Sequence, residues 1–319
     1  MLTEFDHFRI AVSDIGRSRD FYRYGLGLAE IHVGEAALPL AKGGGKSAAA
    51  VFQLGPTLFE IFQVPAGQGA GMVQHLGIRT TDLEADKALL AGKPHVKFLD
   101  GPSPTCAPGL IATLGGRRMA WFTDPDGLNL ALTEVAHPEK PAGPLDGIDH
   151  VQINATDYQT SLDFYQNELG FAVERVALFE GKKPTGEGME KTKGERAYTM
   201  LGLGRTRFEI GGVAAEGALV RVGFTSHMGW LCSDPVAYFK EVQARAPECL
   251  AEKTKDGPAF NARGHVFRRF KFNLFDPDGL LLQMVQPHPE VDPAARVEGE
   301  TGGGLVDPGS IRLIKTPSP

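Results

Sequence analysis

The stretch FDHFRIAVSDIGRSRDFYRYGLGL, residues 5–28, decides the fold because it returns in outline as IDHVQINATDYQTSLDFYQNELGF, residues 148–171. Ten identical residues keep one offset of 143 positions, from Asp6 and Asp149 to Gly27 and Gly170. The offset holds without a gap through a strand-like and a helix-like segment. This regularity indicates an internal duplication of the chain.

A second pair of repeats divides each half again. VQHLGIRTTDLEADKALLA, residues 73–91, aligns with TSHMGWLCSDPVAYFKEVQA, residues 225–244, at an offset of 152 positions. The segments FTDPDGLNLALTEV, residues 122–135, and LFDPDGLLLQMVQ, residues 274–286, keep that same offset. The chain therefore consists of four related units in two pairs.

Length and composition favour two globular domains. A chain of 319 residues is longer than one hydrophobic core usually supports. A Pro- and Gly-rich stretch lies just before the second copy and is typical of a linker. We predict an N-terminal domain at 1–135, a linker at 136–147, a C-terminal domain at 148–286 and an extension at 287–319.

Several classes of partner are disfavoured by composition. The net charge of −6 argues against nucleic acid, and no apolar run is long enough to cross a bilayer. The three cysteines are scattered, and the N-terminus lacks the pattern of a signal peptide. We expect a cytoplasmic protein with a small-molecule substrate and with neither nucleic acid nor membrane as partner. A homo-oligomer is compatible with the sequence.

Each unit follows a β-α-β-β-β pattern. An alternating strand ends at a capping residue such as Asp14, and a helical segment follows and stops at Gly27. DPDG, a turn-forming tetrapeptide, directly precedes the last strand of the second and fourth units. The pattern predicts an α+β fold in which four βαβββ units pair into two half-barrel cups. Sequential pairing and pairing of unit one with unit four both remain open.

Strand alternation assigns the side chains to faces. In DHFRIAV, Phe8 and Ile10 point toward the helix, whereas His7 and Arg9 point to the opposite, concave face. The third unit likewise directs its polar side chains to the concave face. A polar concave face is typical of a ligand site.

Histidines and glutamates recur on that face. Four of the nine histidines occupy equivalent positions at the start of the first strands. Glu60 and Glu209 occupy the last strands of units one and three, and burying them is costly unless they are ion-paired or bind a metal. An ion pair with Arg9, Arg79 or Arg207 is the alternative interpretation.

These motifs, DHFRIAV with SRDFY, HLGIRTTD, and FTDPDGLNLAL with their second copies, resemble the vicinal oxygen chelate superfamily. That superfamily includes glyoxalase I, extradiol ring-cleaving dioxygenases and bleomycin-binding proteins, and the resemblance covers about residues 4–286. It implies a divalent metal held by inward His and carboxylate side chains. The ligands that it implies are His7, Glu60, His75, His150, Glu209 and His227.

The chain departs from the superfamily pattern at the fourth ligand. The positions of that carboxylate hold Ala131 and Gln283, and glutamine offers only a neutral carbonyl oxygen. This loss disfavours glyoxalase chemistry, which needs a carboxylate to move a proton. In either pairing scheme the cup with His227 and Gln283 has four candidate ligands and the other has three. We therefore expect the His227 cup to be the better metal site, with Gln283 as a weak ligand.

Our leading interpretation is a metal-dependent enzyme that chelates two neighbouring oxygens of a small organic substrate, specifically an extradiol-type ring-cleaving dioxygenase. His150, His227 and Glu209 would then compose a two-histidine, one-carboxylate set for Fe(II), with Mn(II), Ni(II) or Zn(II) as alternatives. One alternative function is a glyoxalase-like isomerase or lyase that uses water or Tyr198 as base. Another is a metal-free protein that binds a small molecule, although inward His and Glu pairs have no evident purpose there.

Further residues complete the predicted site. Tyr198 and His265 lie on strands that reach toward the cup and are the candidate acid–base residues. Glycine-rich insertions at 38–48 and 180–196 lie where lids would be. The predicted substrate-binding residues are Arg9, Gln152, Asn154 and Arg207.

Overall fold

The structure is a computed structural model of the chain. It describes residues 2–37, 46–64, 73–93, 96–100, 117–135, 145, 147–155, 157–180, 183–186, 196–203, 206–212, 224–254, 256–261 and 269–287. His265 lies outside these ranges, as do most of the predicted linker, parts of both glycine-rich insertions and nearly all of the C-terminal extension.

Eight strands belong to the first half of the chain and nine to the second. The first eight are β1 Leu2–Val12, β2 Ala29–Ala37, β3 Lys46–Leu54, β4 Thr57–Gln63, β5 Val73–Thr80, β6 Phe98–Leu99, β7 Met119–Thr123 and β8 Asn129–Glu134. The next nine are β9 Ile148–Ala155, β10 Ala172–Glu180, β11 Lys183–Gly186, β12 Arg196–Leu203, β13 Thr206–Gly212, β14 Phe224–Cys232, β15 Ala259–Asn261, β16 Arg269–Phe275 and β17 Leu281–Val285. Strand β11 is an addition to the predicted pattern of unit three.

One α-helix follows the first strand of each unit, as the pattern predicts. The four are α1 Ile15–Asp20, α2 Leu83–Ala91, α3 Tyr158–Asp163 and α4 Pro235–Arg245. Each begins after an aspartate whose carboxylate accepts a hydrogen bond from a backbone N–H of the first turn, which satisfies an otherwise unpaired donor. Helices α1 and α3 continue into π-helical turns, Phe21–Gly25 and Phe164–Glu168. The chain then turns at Gly27 and Gly170, whose φ angles are 74° and 77°.

Two mixed sheets form by crossed pairing of the units. The first sheet has the order β15-β16-β17-β14-β1-β4-β3-β2, and the second has the order β11-β10-β12-β13-β9-β5-β8-β7-β6. The central contacts are antiparallel, β1 with β14 and β5 with β9. Unit one therefore pairs with unit four and unit two with unit three. Of the two schemes left open above, the crossed scheme is correct, and the predicted α+β architecture is confirmed.

The predicted alternation of faces is also confirmed. Phe8, Ile10 and Val12 are buried in a single large apolar cluster that includes residues of both sheets. The ring of Trp230 on β14 packs against Phe171 and Phe208 of the other sheet, at centroid distances of 5.7 and 6.1 Å. Burying each such aromatic side chain contributes about 2 kcal/mol. The opposite face of each sheet is thereby left for polar side chains.

Buried hydrogen bonds tie the two units of each half together across the sheets. The hydroxyl of Tyr22 donates to Asp124 at 2.9 Å, and that of Tyr165 donates to Asp276 at 2.9 Å. Each aspartate is the first residue of a DPDG turn, which links the last two strands of its unit as predicted. Its other carboxylate oxygen accepts the backbone N–H of Leu128 or Leu280. Burial raises the pKa of both carboxyl groups to about 6.

Each sheet thus takes one unit from each half of the chain, while the Tyr–Asp pairs join the consecutive units. The domain boundaries proposed at residues 135 and 148 remain predictions. None of the helices among the described residues is long and apolar enough to cross a membrane.

Candidate functional site

Two equivalent polar surfaces lie on the faces of the sheets that point away from the core. We call the surface of the first sheet the open cup and that of the second sheet the sealed cup. The open cup is defined by His7, Arg9, Glu60, His227, Lys271 and Gln283. Their equivalents in the sealed cup, in the same order, are His150, Gln152, Glu209, His75, Met119 and Ala131; five follow the repeat offsets, and Glu209 follows from the strand register.

The open cup brings two imidazoles together at the junction of its units. The rings of His7 on β1 and His227 on β14 meet edge to face, with centroids 4.9 Å apart. Nδ1 of His7 lies 2.6 Å from Oδ2 of Asp6. A carboxylate on Nδ1 fixes the ring orientation and leaves Nε2 for another partner.

An arginine stands in the middle of the open cup. In the strand register, Arg9 lies opposite His227 on one side and beside Glu60 on the other. Nε of Arg9 is 3.4 Å from Oε1 of Glu60, and the guanidinium carbon lies 4.3 Å from the centroid of the Phe62 ring. The alternative interpretation of Glu60 as an ion-pair partner of Arg9 is therefore confirmed.

A lysine adds a second cation. Nζ of Lys271 on β16 donates to Oε1 of Gln283 at 3.2 Å. Burial, followed by the charges of His7, Arg9 and Lys271, lowers the pKa of His227 well below its usual range. His227 is therefore a neutral imidazole at pH 7, flanked by two cationic side chains.

The sealed cup contains a continuous chain of polar contacts. Nε2 of His75 lies 2.6 Å from Nε2 of His150, and Nδ1 of His75 lies 2.7 Å from Oε1 of Gln152. Nδ1 of His150 in turn lies 2.9 Å from Oδ2 of Asp149. Burial and the neighbouring His150 lower the pKa of His75 well below its usual range, so that His75 is also neutral.

Apolar side chains occupy the rest of the sealed cup. Ala131 packs with Trp121 and Met200 in a small apolar cluster, and the Trp121 ring lies 5.4 Å from that of His75. Ala131, His75, His150, Gln152 and Glu209 each have 0% solvent exposure. In the open cup, by contrast, the side chains of His7 and Glu60 are each 14% exposed.

Asp149 anchors the sealed cup to two arginines. Its carboxylate accepts from Arg117 at 2.6 Å and lies 3.5 Å from Arg207, which also donates to Glu174 at 2.7 Å. Burial alone would raise the pKa of Asp149. The hydrogen bond and charge of His150, together with Arg117 and Arg207, outweigh burial and lower the pKa to about 2.

A glycine makes room for one imidazole in each cup. A Cβ on Gly229 would lie 2.1 Å from Cε1 of His7, and one on Gly77 would lie 2.1 Å from Cε1 of His150. Both glycines follow the histidine of their own strand by two residues, in the HxG patterns HMG and HLG. Any side chain at either position would displace the imidazole.

Known families share this architecture. The model of the Glyoxalase/Bleomycin resistance protein/Dioxygenase superfamily matches residues 4–132 and 147–284. The chain belongs to this superfamily. Its resemblance to the vicinal oxygen chelate proteins, inferred from the repeated motifs, is thereby confirmed.

Solved structures of the superfamily confirm the fold of the chain. Glyoxalase I from Zea mays is 17% identical, with a TM-score of 0.59 over 89% of this chain and 92% of the other. A putative dioxygenase from Bacillus subtilis subsp. subtilis str. 168 is 14% identical, with a TM-score of 0.59 over 90% of this chain and 86% of the other. No curated protein matches the sequence.

Neither cup fits a divalent ion as its side chains stand. Within the ranges that the structure describes, no three His, Cys, Asp or Glu side chains come together closely enough to hold a metal. In the open cup Arg9 forms an ion pair with Glu60, and Lys271 donates a hydrogen bond to Gln283. Two of the four predicted ligands are therefore already in contact with a cationic side chain. In the sealed cup the fourth position is Ala131, inside an apolar contact. Among the described residues, the predicted metal ligands thus form two pairs of imidazoles, and no third His, Cys, Asp or Glu side chain lies close enough to complete either site.

The remaining predicted site residues are dispersed. Tyr198 lies on β12, opposite Ala177 and Gly211, and its side chain is outside the described part, as is that of Asn154 on β9. Gln152 ends the polar chain of the sealed cup, and Arg207 contacts Asp149 and Glu174. Crossed pairing places His150 and Glu209 in one sheet and His227 in the other, so the predicted Fe(II) set of these three residues is split.

Sequence reasoning missed Lys271 and the two aspartates before the strand histidines. The repeat itself held the signal for Lys271, because its equivalent at the 152 offset is Met119 and a charge appears in only one copy. Asp6 and Asp149 are identical at the 143 offset and directly precede His7 and His150. Alternation assigned them to the other face, although a carboxylate beside an imidazole reaches its Nδ1.

Proposed function

We propose that the protein binds a small organic molecule in the open cup and that no metal ion takes part in holding it. The position of Arg9 between Glu60 and His227 carries this proposal. A guanidinium 3.4 Å from the only carboxylate among the four expected ligands competes with a divalent ion for that carboxylate and repels the ion electrostatically.

Solvent access favours the open cup as the working surface. His7 and Glu60 retain contact with solvent, whereas the corresponding His150 and Glu209 have none. A binding site needs polar groups that a ligand can reach. In the sealed cup the polar side chains of Asp149, His150, His75 and Gln152 contact one another in a buried chain.

The inward His and Glu side chains have a purpose in a cup without metal. Glu60 balances the charge of Arg9, and the two imidazoles of the sealed cup satisfy each other in its interior. Buried polar groups that are paired in this way incur little of the cost of burial.

Elemental analysis of the purified full-length protein tests the proposal. After expression with iron, manganese, nickel and zinc supplied, we expect well under one metal ion per chain. In the same sample, stripped with EDTA, NMR titration with a panel of small aromatic and aliphatic acids, alcohols and amides is expected to detect binding. A matched His227→Ala variant should lose that binding, whereas His75→Ala should keep it. One tightly held metal ion per chain, lost in His227→Ala, would overturn the proposal.

A second candidate function is the metal-dependent ring-cleaving dioxygenase expected from the sequence. The specific observation in its favour is the carboxylate on Nδ1 of both His7 and His150, an arrangement common around histidine ligands of metals. Anaerobic loading with Fe(II), followed by oxygen uptake with a panel of catechols, tests it directly. Uptake that depends on both Fe(II) and a catechol, and that is lost in Glu60→Gln, would establish this function.

The glyoxalase-like alternative has less support from the residues. Ala131 and Gln283 replace the carboxylate that would transfer a proton, and Gln283 already accepts from Lys271. Assays for isomerase and lyase activity on the same metal-loaded sample are expected to give no turnover.

A further inference from the structure

The open cup differs from the sealed cup by two cations at its centre, and this difference indicates the class of ligand. Arg9 stands where the sealed cup has Gln152, and Lys271 stands where it has Met119. The backbone frame is equivalent in both places. Arg9 and Gln152 each lie opposite a first-strand histidine. Lys271 on β16 and Met119 on β7 occupy the same register, two strands beyond those histidines in the strand order.

We propose that the open cup takes a small organic carboxylate, whose anionic group lies against Arg9 and Lys271. This inference rests on the proposed function, since it names the class of molecule that the cup would bind.

In the strand order, His227 on β14 lies between Arg9 on β1 and Lys271 on β16. His227 is 7% exposed, and both Arg9 and Lys271 act on it electrostatically. A neutral imidazole between two cations can donate a hydrogen bond from its N–H to an oxyanion without adding a third positive charge beside Arg9 and Lys271. Gln283 accepts from Lys271, so the ammonium is already oriented toward this region.

The guanidinium of Arg9 is held for recognition of a planar group. One of its faces lies over Phe62 at 4.3 Å, and its Nε points to Glu60. A restrained guanidinium presents a fixed fork of N–H donors, which matches the two oxygens of a carboxylate. Because Arg9 is only 7% exposed, a charge-assisted hydrogen bond to it would be weakly screened.

Glu60 favours a carboxylate over a phosphate monoester. Its carboxylate stays beside Arg9, 3.4 Å from Nε, and repels a dianion more strongly than a monoanion.

Probe molecules of matched shape test the inference with the full-length protein in EDTA. We would titrate benzoate, benzamide and phenyl phosphate and follow binding by NMR. Benzoate should bind at least tenfold more tightly than benzamide, which corresponds to one charge-assisted hydrogen bond. Its affinity should fall as salt is raised.

Two substitutions that place the sealed-cup residues in the open cup test the inference by mutation. Arg9→Gln and Lys271→Met each introduce the residue that the equivalent position already accommodates, and retained folding is checked by thermal unfolding. Each should weaken benzoate binding about tenfold, to an affinity close to that of benzamide. The matched control Lys240→Met removes an exposed lysine on α4 and should change neither.

The outcomes separate this inference from the proposed function. If benzamide binds as tightly as benzoate, or if both variants bind benzoate like the wild type, the carboxylate inference is overturned while metal-free binding stands. Preference for phenyl phosphate also overturns it. If benzoate binds only when a divalent metal is restored, the proposed function itself fails.

Discussion

The open and sealed cups follow the same repeat, yet they have become chemically different at few positions. Both keep an Asp–His pair, a second histidine, a glycine under the ring and an inward glutamate. The open cup adds Arg9 and Lys271, whereas the sealed cup has Ala131 with Trp121 and Met200. The same backbone frame thus carries two surfaces, and a few side chains decide whether its histidine and glutamate remain exposed to solvent.

A glutamate at the fourth ligand position should give the largest difference in stability between the two cups. Ala131→Glu places a carboxylate in a fully buried apolar contact, and we expect a loss of about 4 kcal/mol in the free energy of unfolding. Gln283→Glu, the matched change in the open cup, lies beside Lys271 and should change stability by about 1 kcal/mol or less. Urea unfolding of the two variants measures both. Equal losses would show that the sealed cup is not closed.

Substitution of the glycines that lie against the imidazoles should give a smaller difference in stability between the two cups. Gly77→Ala collides with His150, which Asp149 and His75 hold in place, and we expect a loss of about 3 kcal/mol. Gly229→Ala collides with the partly exposed His7, which can swing aside at a cost of about 1 kcal/mol. Thermal or urea unfolding decides between them, and the reverse order would contradict the assignment of the rigid cup.

The Tyr–Asp pairs should behave alike in both halves, which sharpens the comparison. Folding raises the pKa of Asp124 and Asp276 from 3.8 to about 6, so the stability associated with each is present at low pH and is lost as pH rises from about 4 to about 6. The free energy of unfolding falls with pH over this range, and Asp124→Asn and Asp276→Asn should each reduce that fall by about 2 kcal/mol.

Urea unfolding at pH 4.5 and pH 7 measures these slopes. Tyr22→Phe removes a hydrogen bond that lowers the pKa of Asp124, so it should steepen the dependence. An unchanged slope in Asp124→Asn, or opposite behaviour of the two aspartate variants, would contradict the equivalence of the two halves.

Much of the fold was predictable because sequence repeats indicate repeated backbone structure. The offsets of 143 and 152 positions, strand alternation, aspartate caps and the DPDG turns predicted four units and assigned Phe8 to the core and His7 to the opposite face. These features depend on neighbours along the chain, which the sequence displays directly. The pairing of the units was not predictable, because it depends on contacts between strands far apart in the chain, such as His7 on β1 opposite Gly229 on β14.

The candidate site was predictable by residue and not by arrangement. His7, Glu60, His227 and Gln283 do share one cup, as one of the two pairing schemes allowed. The ion pair of Glu60 with Arg9 and the contact of Gln283 with Lys271 change what those residues can bind. Side chains compete for partners in space, and a repeat pattern cannot rank the competitors.

The sequence by itself determined the βαβββ unit, its fourfold repetition and the direction of each strand's side chains, because these follow from local conformation and period. The tertiary structure alone decided that unit one joins unit four, that Tyr22 and Tyr165 donate to the DPDG aspartates, and that one cup is filled while the other stays accessible. Those outcomes arise from packing and charge between segments that are separated along the chain, and their energies are set only when the segments meet.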